Sequence, residues 1–226
     1  MRIIFVRHGE PNYVKDCLTE LGKQQAAACA ARLADEPITA VYSSTSGRAA
    51  ETAGYIATPR GLTAECFDFM RELGWKLLEG DPLADGLPWH EADAMVARGM
   101  DVLDPNWAEG EPFCRNSVTA RALYAAREFD KLLSVLGYQR EGQYYRVLRE
   151  NTETVAMISH GGSCSAVIAH LLGLPFSFML ATFHPSFTSV TILHLPEKVG
   201  MLVTPTVEVL NDDRHIRGIE GINQYK

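Results

Sequence analysis

Short unbroken apolar runs alternate along the chain with longer stretches of helical period, and the alternation predicts strands interleaved with helices. Ile3, Ile4, Phe5 and Val6 form one such run and lead into Arg7, His8 and Gly9. Residues 154–159 repeat the grammar and lead into His160, Gly161 and Gly162. Runs of this length without polar alternation read as strands buried on both faces. Residues 38–42 and 62–67 give two further strand candidates, and residues 187–195 and 201–210 alternate well enough to be two more. Residues 143–149, with two tyrosines, read as an edge strand.

The helical stretches carry recognisable ends. Thr19 caps residues 20–34, with Glu20 in the first turn and Pro37 after the end. Residues 48–57 follow a loop of capping residues, and residues 117–136 carry Val118, Leu123, Phe129, Leu132, Leu133 and Leu136 as an apolar stripe closed by Gly137. Residues 163–172 end at Gly173 and Pro175. Strands that alternate with helices predict an α/β fold of three layers, a mainly parallel sheet with helices on both faces.

Between residues 72 and 116 the periodicity breaks down under Gly74, Gly80, Pro82, Gly86, Pro88, Pro105, Gly110 and Pro112, and only residues 91–100 look helical. The expected organisation is one domain over residues 1–226, with an inserted loop-rich and helical subdomain at about 72–116 that acts as a lid or pocket wall. Trp75, Trp89 and Trp107 all fall inside it, either walling a pocket or packing the subdomain.

Composition narrows the classes. Hydrophobic residues make up 46% of the 226 and charged residues 22%, enough for a sizeable core. The net charge of −7 argues against a nucleic-acid partner, although a few converging arginines still set the local field of one pocket. No apolar run is long enough to span a membrane. Five cysteines without a C-x-x-C pair read as free thiols in a reducing cytosol, so a cytoplasmic location is the default expectation.

The chemistry-bearing residues sit where strands run out into helices. The two His-Gly junctions, and a third at residues 42–49 that presents Arg48 at a helix start, share one sheet edge if the strands are parallel. Arg7, His8, Arg48 and His160 can then converge, and two cations, two imidazoles and a helix N-terminus make a phosphate site. Other chemistries fit less well. Gly161, Ser163 and Ser165 break the G-x-S-x-G pattern of a serine hydrolase elbow. Cys66 with Arg71 and Cys114 with Arg121 miss the spacing of a cysteine phosphatase, and His90-Glu91 lacks the second His of a zinc hydrolase. No Walker A or dinucleotide fingerprint is present, so no cofactor and no metal is expected.

These motifs, spread over most of the chain, resemble the histidine phosphatase superfamily, the phosphoglycerate-mutase-like enzymes. Arg7-His8-Gly9-Glu10 is similar to its first motif, Leu18 to Gly22 with Gln25-Ala26 to its first helix, and Tyr42 to Ser44 with Arg48-Ala49 and Thr52-Ala53 to its second-arginine segment. Ser159-His160-Gly161-Gly162 is similar to its second histidine motif, and Leu210 to Asp212 with His215 to a C-terminal segment.

The resemblance implies that His8 is the nucleophile of a phosphohistidine intermediate and that Arg7, Arg48 and His160 hold the phosphoryl group. Gly9 and Gly161 let backbone come close, and Glu72 is the proton donor, with Glu79 as its competitor for that role. Asn12 either touches phosphate or makes a turn. The stretch from Leu73 to Leu78 departs from the family's usual pattern around the acid. The loop from Pro11 to Cys17 is shorter than in the family's phosphoglycerate mutases, which favours a phosphatase acting on a small phosphorylated metabolite. A phosphoglycerate-type mutase and a non-catalytic phosphoryl-binding protein stay open as alternatives, as does a homo-oligomer paired through residues 143–149.

Overall fold

The computed structural model of the chain describes residues 1–74 and 88–221. In chain order the elements are β1 Arg2–Arg7, β2 Pro11–Asn12, β3 Cys17–Leu18, α1 Glu20–Arg32, β4 Ile38–Ser44, α2 Gly47–Ala57 and β5 Glu65–Phe67. Then follow α3 Pro88–Ala97, α4 Ser117–Val135, β6 Tyr138–Glu141, β7 Tyr144–Val147, β8 Thr154–Ser159 and α5 Gly161–Leu172. The chain continues with α6 Phe176–Thr182, β9 Val190–His194, β10 Leu202–Val203 and β11 Thr206–Asp212.

The main sheet has the order β11-β9-β1-β8-β4-β5. β1, β8, β4 and β5 run parallel, β9 joins antiparallel beside β1, and β11 pairs antiparallel with β9 at the edge. Period-two geometry explains why the central strands are apolar at every position. Ile3 and Phe5 of β1, with Val155 and Met157 of β8, face a core that includes Phe129 and Leu133 of α4 and Val167, Ile168 and Leu171 of α5. Their neighbours Ile4, Val6, Ala156 and Ile158 face the opposite core with Cys29 of α1 and Ala49, Ala53 and Ile56 of α2. A three-layer α/β sandwich results, with the parallel strand ends of β1, β8 and β4 on one edge.

Several boundaries differ from the sequence reading for local reasons. The expected strand at 187–195 starts only at Val190, because Thr188 takes a left-handed φ of 56° and its N–H turns back to the Arg7 carbonyl. The expected strand at 201–210 is divided into β10 and β11 by Pro205, which has no N–H for a ladder. Helix α6 and the hairpin of β2 and β3 were not foreseen; both elements are too short to show a period. The reading of residues 143–149 as an edge strand is corrected. β7 lies in the middle of a second sheet of order β10-β7-β6, so both of its edges are already paired and it offers none to another subunit.

Inside the irregular segment, α3 starts with Pro88 in its first turn, which suits a residue without an N–H. Trp107 packs edge-on against Phe113 and Phe176 in a small core that also holds Leu73, Val118 and Ala166. Trp75 and Glu79 lie outside the described residues, as does the side chain of Trp89. Among the described residues, no helix is long and apolar enough to cross a membrane.

Candidate active site

Arg7 closes β1 and is paired in register with Ser159 at the end of β8, so His8 and His160 leave adjacent strands at the same level. The His8 N–H donates to the Ser159 carbonyl at 2.8 Å, which fixes the two exits relative to each other. β4, on the far side of β8, ends at Ser44 and delivers Arg48 on the first turn of α2. Sheet order alone therefore brings Arg7, His8, Arg48 and His160 to one place.

His8 is 2% exposed, and its Nδ1 lies 2.7 Å from the Gly9 carbonyl. A carbonyl only accepts, so Nδ1 carries the proton and Nε2 keeps its lone pair. Arg48 Nε donates to that Nε2 at 3.3 Å. Burial, together with the positive charge of Arg7, pushes the His8 pKa down to about 3, with the Gly9 carbonyl opposing the shift. The imidazole is thus neutral at physiological pH with its free nitrogen toward the cations, as a nucleophile requires.

His160 sits with its ring 4.9 Å from that of His8, nearly edge to face. Arg48 donates a second N–H to His160 Nδ1 at 3.1 Å, and His160 Nε2 lies 2.9 Å from Ser44 Oγ. Because guanidinium has no lone pair to offer, Nδ1 accepts and the proton belongs on Nε2. Burial first, and then the charges of His8, Arg48 and Arg7, lower the His160 pKa well below its ordinary value. Arg7 stacks over Phe187 with its guanidinium carbon 4.1 Å from the ring centre and donates one N–H to the Pro185 carbonyl at 2.7 Å. Its buried Nε has no partner, which leaves a donor for an anion.

Glu72 reaches the same edge from the loop after β5. Its Oε1 accepts from its neighbour Leu73 N–H at 2.9 Å and from Ser163 N–H in the first turn of α5 at 3.1 Å. Burial raises its pKa, against the pull of the Leu73 N–H and the Arg7 charge. A Cβ on Gly162 would stand 2.7 Å from Oε1, so glycine is what lets the carboxyl lie against the helix start. Gly161, the first residue of α5, is buried beneath the site.

Asn12 has no bond to this cluster among the described contacts. Its Oδ1 accepts from the Val14 and Lys15 N–H groups at 3.1 Å each and makes the turn between β2 and β3. Three contributors escaped the sequence reading of the site. Ser44 was read as a loop capping residue before α2 and as part of the second-arginine segment, without a role in the site, whereas it partners His160. Thr52 accepts from the Gly9 N–H at 3.1 Å and anchors the His8 loop to α2. Asp16, in the short loop, pairs with the third nitrogen of Arg48. Ser44 and Thr52 both lie in the matched second-arginine segment, which was their only signal; Asp16 gave none.

Two neutral imidazoles, two guanidiniums and one protonatable carboxyl at the carboxyl edge of a parallel sheet define the class, a phosphoryl-group site with a histidine aimed into it. The chain belongs to the histidine phosphatase superfamily: the family model of its branch 1 matches residues 3–207. Its fold is that of phosphatases of this superfamily. It is similar to a "probable phosphoglycerate mutase GpmB" of Yersinia pestis (strain Pestoides F), 27% identical over 188 residues that cover 77% of this chain and 76% of that one. Among solved structures it resembles a mycobacterial glucosyl-3-phosphoglycerate phosphatase in complex with VO3, at 26% identity and a TM-score of 0.62, covering 93% of this chain and 98% of the other. A protein described as mycobacterial hydrolase 1 is similar at 25% identity and a TM-score of 0.64, with the same coverage.

Proposed function

We propose that the protein hydrolyses the phosphomonoester of a small phosphorylated metabolite through a phosphohistidine at His8, with the pocket arginines supplying the electrostatic work without a metal ion. The observation that carries this reading is the His8 ring, its Nδ1 proton tied to Gly9 and its Nε2 lone pair facing Arg48. Nε2 attacks phosphorus in line, and the leaving alcohol departs on the opposite side. Arg7 and Arg48 neutralise the non-bridging oxygens as the transition state loosens. His160 would donate to the same group from Nδ1 once the phosphate charge draws a proton there, and Gly161 brings the N-terminus of α5 close.

Glu72, whose pKa burial raises, gives its proton to the leaving oxygen and afterwards takes one from the water that attacks phosphohistidine. The segment at about 72–116 acts as the wall that meets the leaving group. Leu73 ties its start to the small core of Ala92, Phe113 and Phe176, next to Glu72.

The test is hydrolysis of p-nitrophenyl phosphate with rapid-quench trapping of a phosphorylated protein. Wild type should turn over and carry one acid-labile phosphoryl group on His8, and His8→Ala should do neither. Turnover that survives His8→Ala overturns the mechanism. A phosphoglycerate-type mutase is the second reading, favoured by the Yersinia relative. Interconversion of phosphoglycerate isomers faster than release of inorganic phosphate would select it. Phosphate binding without either reaction would select a non-catalytic phosphoryl-binding protein.

A further inference from the structure

The loop between β2 and β3 does more than close a turn. Asp16, at its end, takes a left-handed φ of 49°, which turns its side chain back over the start of α2. Oδ2 accepts from the Gly47 N–H at 2.7 Å, and Oδ1 accepts from Arg48 NH1 at 2.5 Å. The N-cap residue of α2, Ser46, makes no side-chain cap of its own, so Asp16 caps this helix from another part of the chain. The fit is close, because a Cβ on Gly47 would fall 2.1 Å from the Asp16 carbonyl oxygen. From the far side Tyr13 lies 5.5 Å from the Arg48 guanidinium carbon.

Each nitrogen of Arg48 is thereby assigned: Nε to His8, NH2 to His160 and NH1 to Asp16. A planar guanidinium held at three corners by three separate segments cannot rotate without breaking one of them. We propose that Asp16 is a positioning residue that fixes Arg48 across the two histidines, doing from the short loop what neither histidine can do alone. The two histidines are neutral acceptors and give Arg48 no charged anchor; Asp16 is the one carboxylate hydrogen-bonded to it among the described contacts. Although partial burial works against it, the Gly47 N–H and the Arg48 charge hold the Asp16 carboxyl below its ordinary range, so the anchor keeps its charge.

The inference rests on the pocket being a phosphoryl site, and a double-mutant cycle tests it separately from turnover. Asp16→Asn keeps one oxygen for the Gly47 N–H and tolerates a left-handed φ, but it withdraws the charge from Arg48. Inorganic phosphate binding is measured by titration calorimetry, and p-nitrophenyl phosphate hydrolysis in parallel, for wild type, Asp16→Asn, Arg48→Ala and the double variant. Asp16→Asn should weaken phosphate binding and lower kcat/KM by about tenfold each, with the melting temperature little changed. On the Arg48→Ala background the same change should do nothing further, since the group it positions is gone. Phosphate binding within twofold of wild type, or a full tenfold loss repeated on the Arg48→Ala background, overturns the inference. Wild type that binds phosphate without hydrolysing its ester overturns the hydrolase reading, while the binding cycle still decides the role of Asp16.

Discussion

Arg48 Nε stands 3.3 Å from His8 Nε2, so the nitrogen we propose as the nucleophile is one to which a pocket cation already donates. In the proposed mechanism a phosphoryl oxygen entering between them takes over that N–H and frees the Nε2 lone pair. One donor would thus hold the resting imidazole and then its target.

Arg48→Lys should therefore be almost as damaging as Arg48→Ala. An ammonium is a point charge on a flexible stem and cannot meet His8, His160 and Asp16 at once. We expect kcat/KM on p-nitrophenyl phosphate to fall by about 10²-fold to 10³-fold in both variants, the cost typical of one lost transition-state donor. Steady-state kinetics would check it, and a lysine variant within tenfold of wild type would show that charge alone suffices.

Glu72 can be separated from the phosphate ligands by the leaving group. p-Nitrophenolate departs without a proton, whereas an alkoxide does not, so Glu72→Gln should slow alkyl phosphate hydrolysis by about 10²-fold to 10⁴-fold and p-nitrophenyl phosphate much less. Gly162→Ala should act in the same direction, because the new Cβ would press on Oε1 at 2.7 Å. Equal losses on both ester types would place Glu72 outside proton transfer.

How much of this was legible in the sequence follows from how local each cause is. The apolar runs at Ile3 to Val6 and in residues 154–159 announce buried parallel strands, and parallel strands share an edge, so the meeting of His8, Arg48 and His160 was readable before any coordinates. The roles of Asp16 and Ser44 were not, because each is defined by a partner more than 30 residues away, Arg48 and His160 respectively. β7 misled for a related reason: its tyrosines gave it the look of an edge strand, and only the return of the chain at Leu202–Val203 covers that edge. Asn12 carries a turn former's side chain and is used as one.

The loop that carries His8 depends on a close backbone approach. A Cβ on Gly22 would fall 2.1 Å from the Glu10 carbonyl oxygen, and one on Gly9 would fall 2.5 Å from the Gly22 carbonyl oxygen. Both obstacles are backbone, the Glu10 carbonyl held by the Thr19 N–H and the Gly22 carbonyl part of α1, so neither can swing aside. Gly22→Ala should destabilise the fold by about 1–3 kcal/mol, as overpacking does, although alanine is the better helix former at an unhindered site. Urea denaturation would measure it; a stabilised variant would mean that the loop is free to shift.

The buried imidazole also sets how the fold responds to acid. The folded pKa of His8 lies near 3 and that of an unfolded histidine near 6.5, so between these values the unfolded chain holds a proton that the folded chain lacks. Stability contributed by this group is therefore complete above pH 6.5 and falls as pH drops through the window, by about 1.4 kcal/mol per pH unit once the unfolded imidazole is fully charged. His160 acts in the same sense, and Glu72, whose folded pKa is raised, acts in the opposite one. Both remain in His8→Asn, so comparing that variant with wild type reports His8 together with its coupling to His160. Between pH 7.5 and pH 5, His8→Asn should lose about 2 kcal/mol less unfolding free energy than wild type, measured by urea titration at each pH. Parallel pH dependence in the two proteins would mean that His8 takes up its proton in the folded state, and a charged imidazole cannot attack phosphorus.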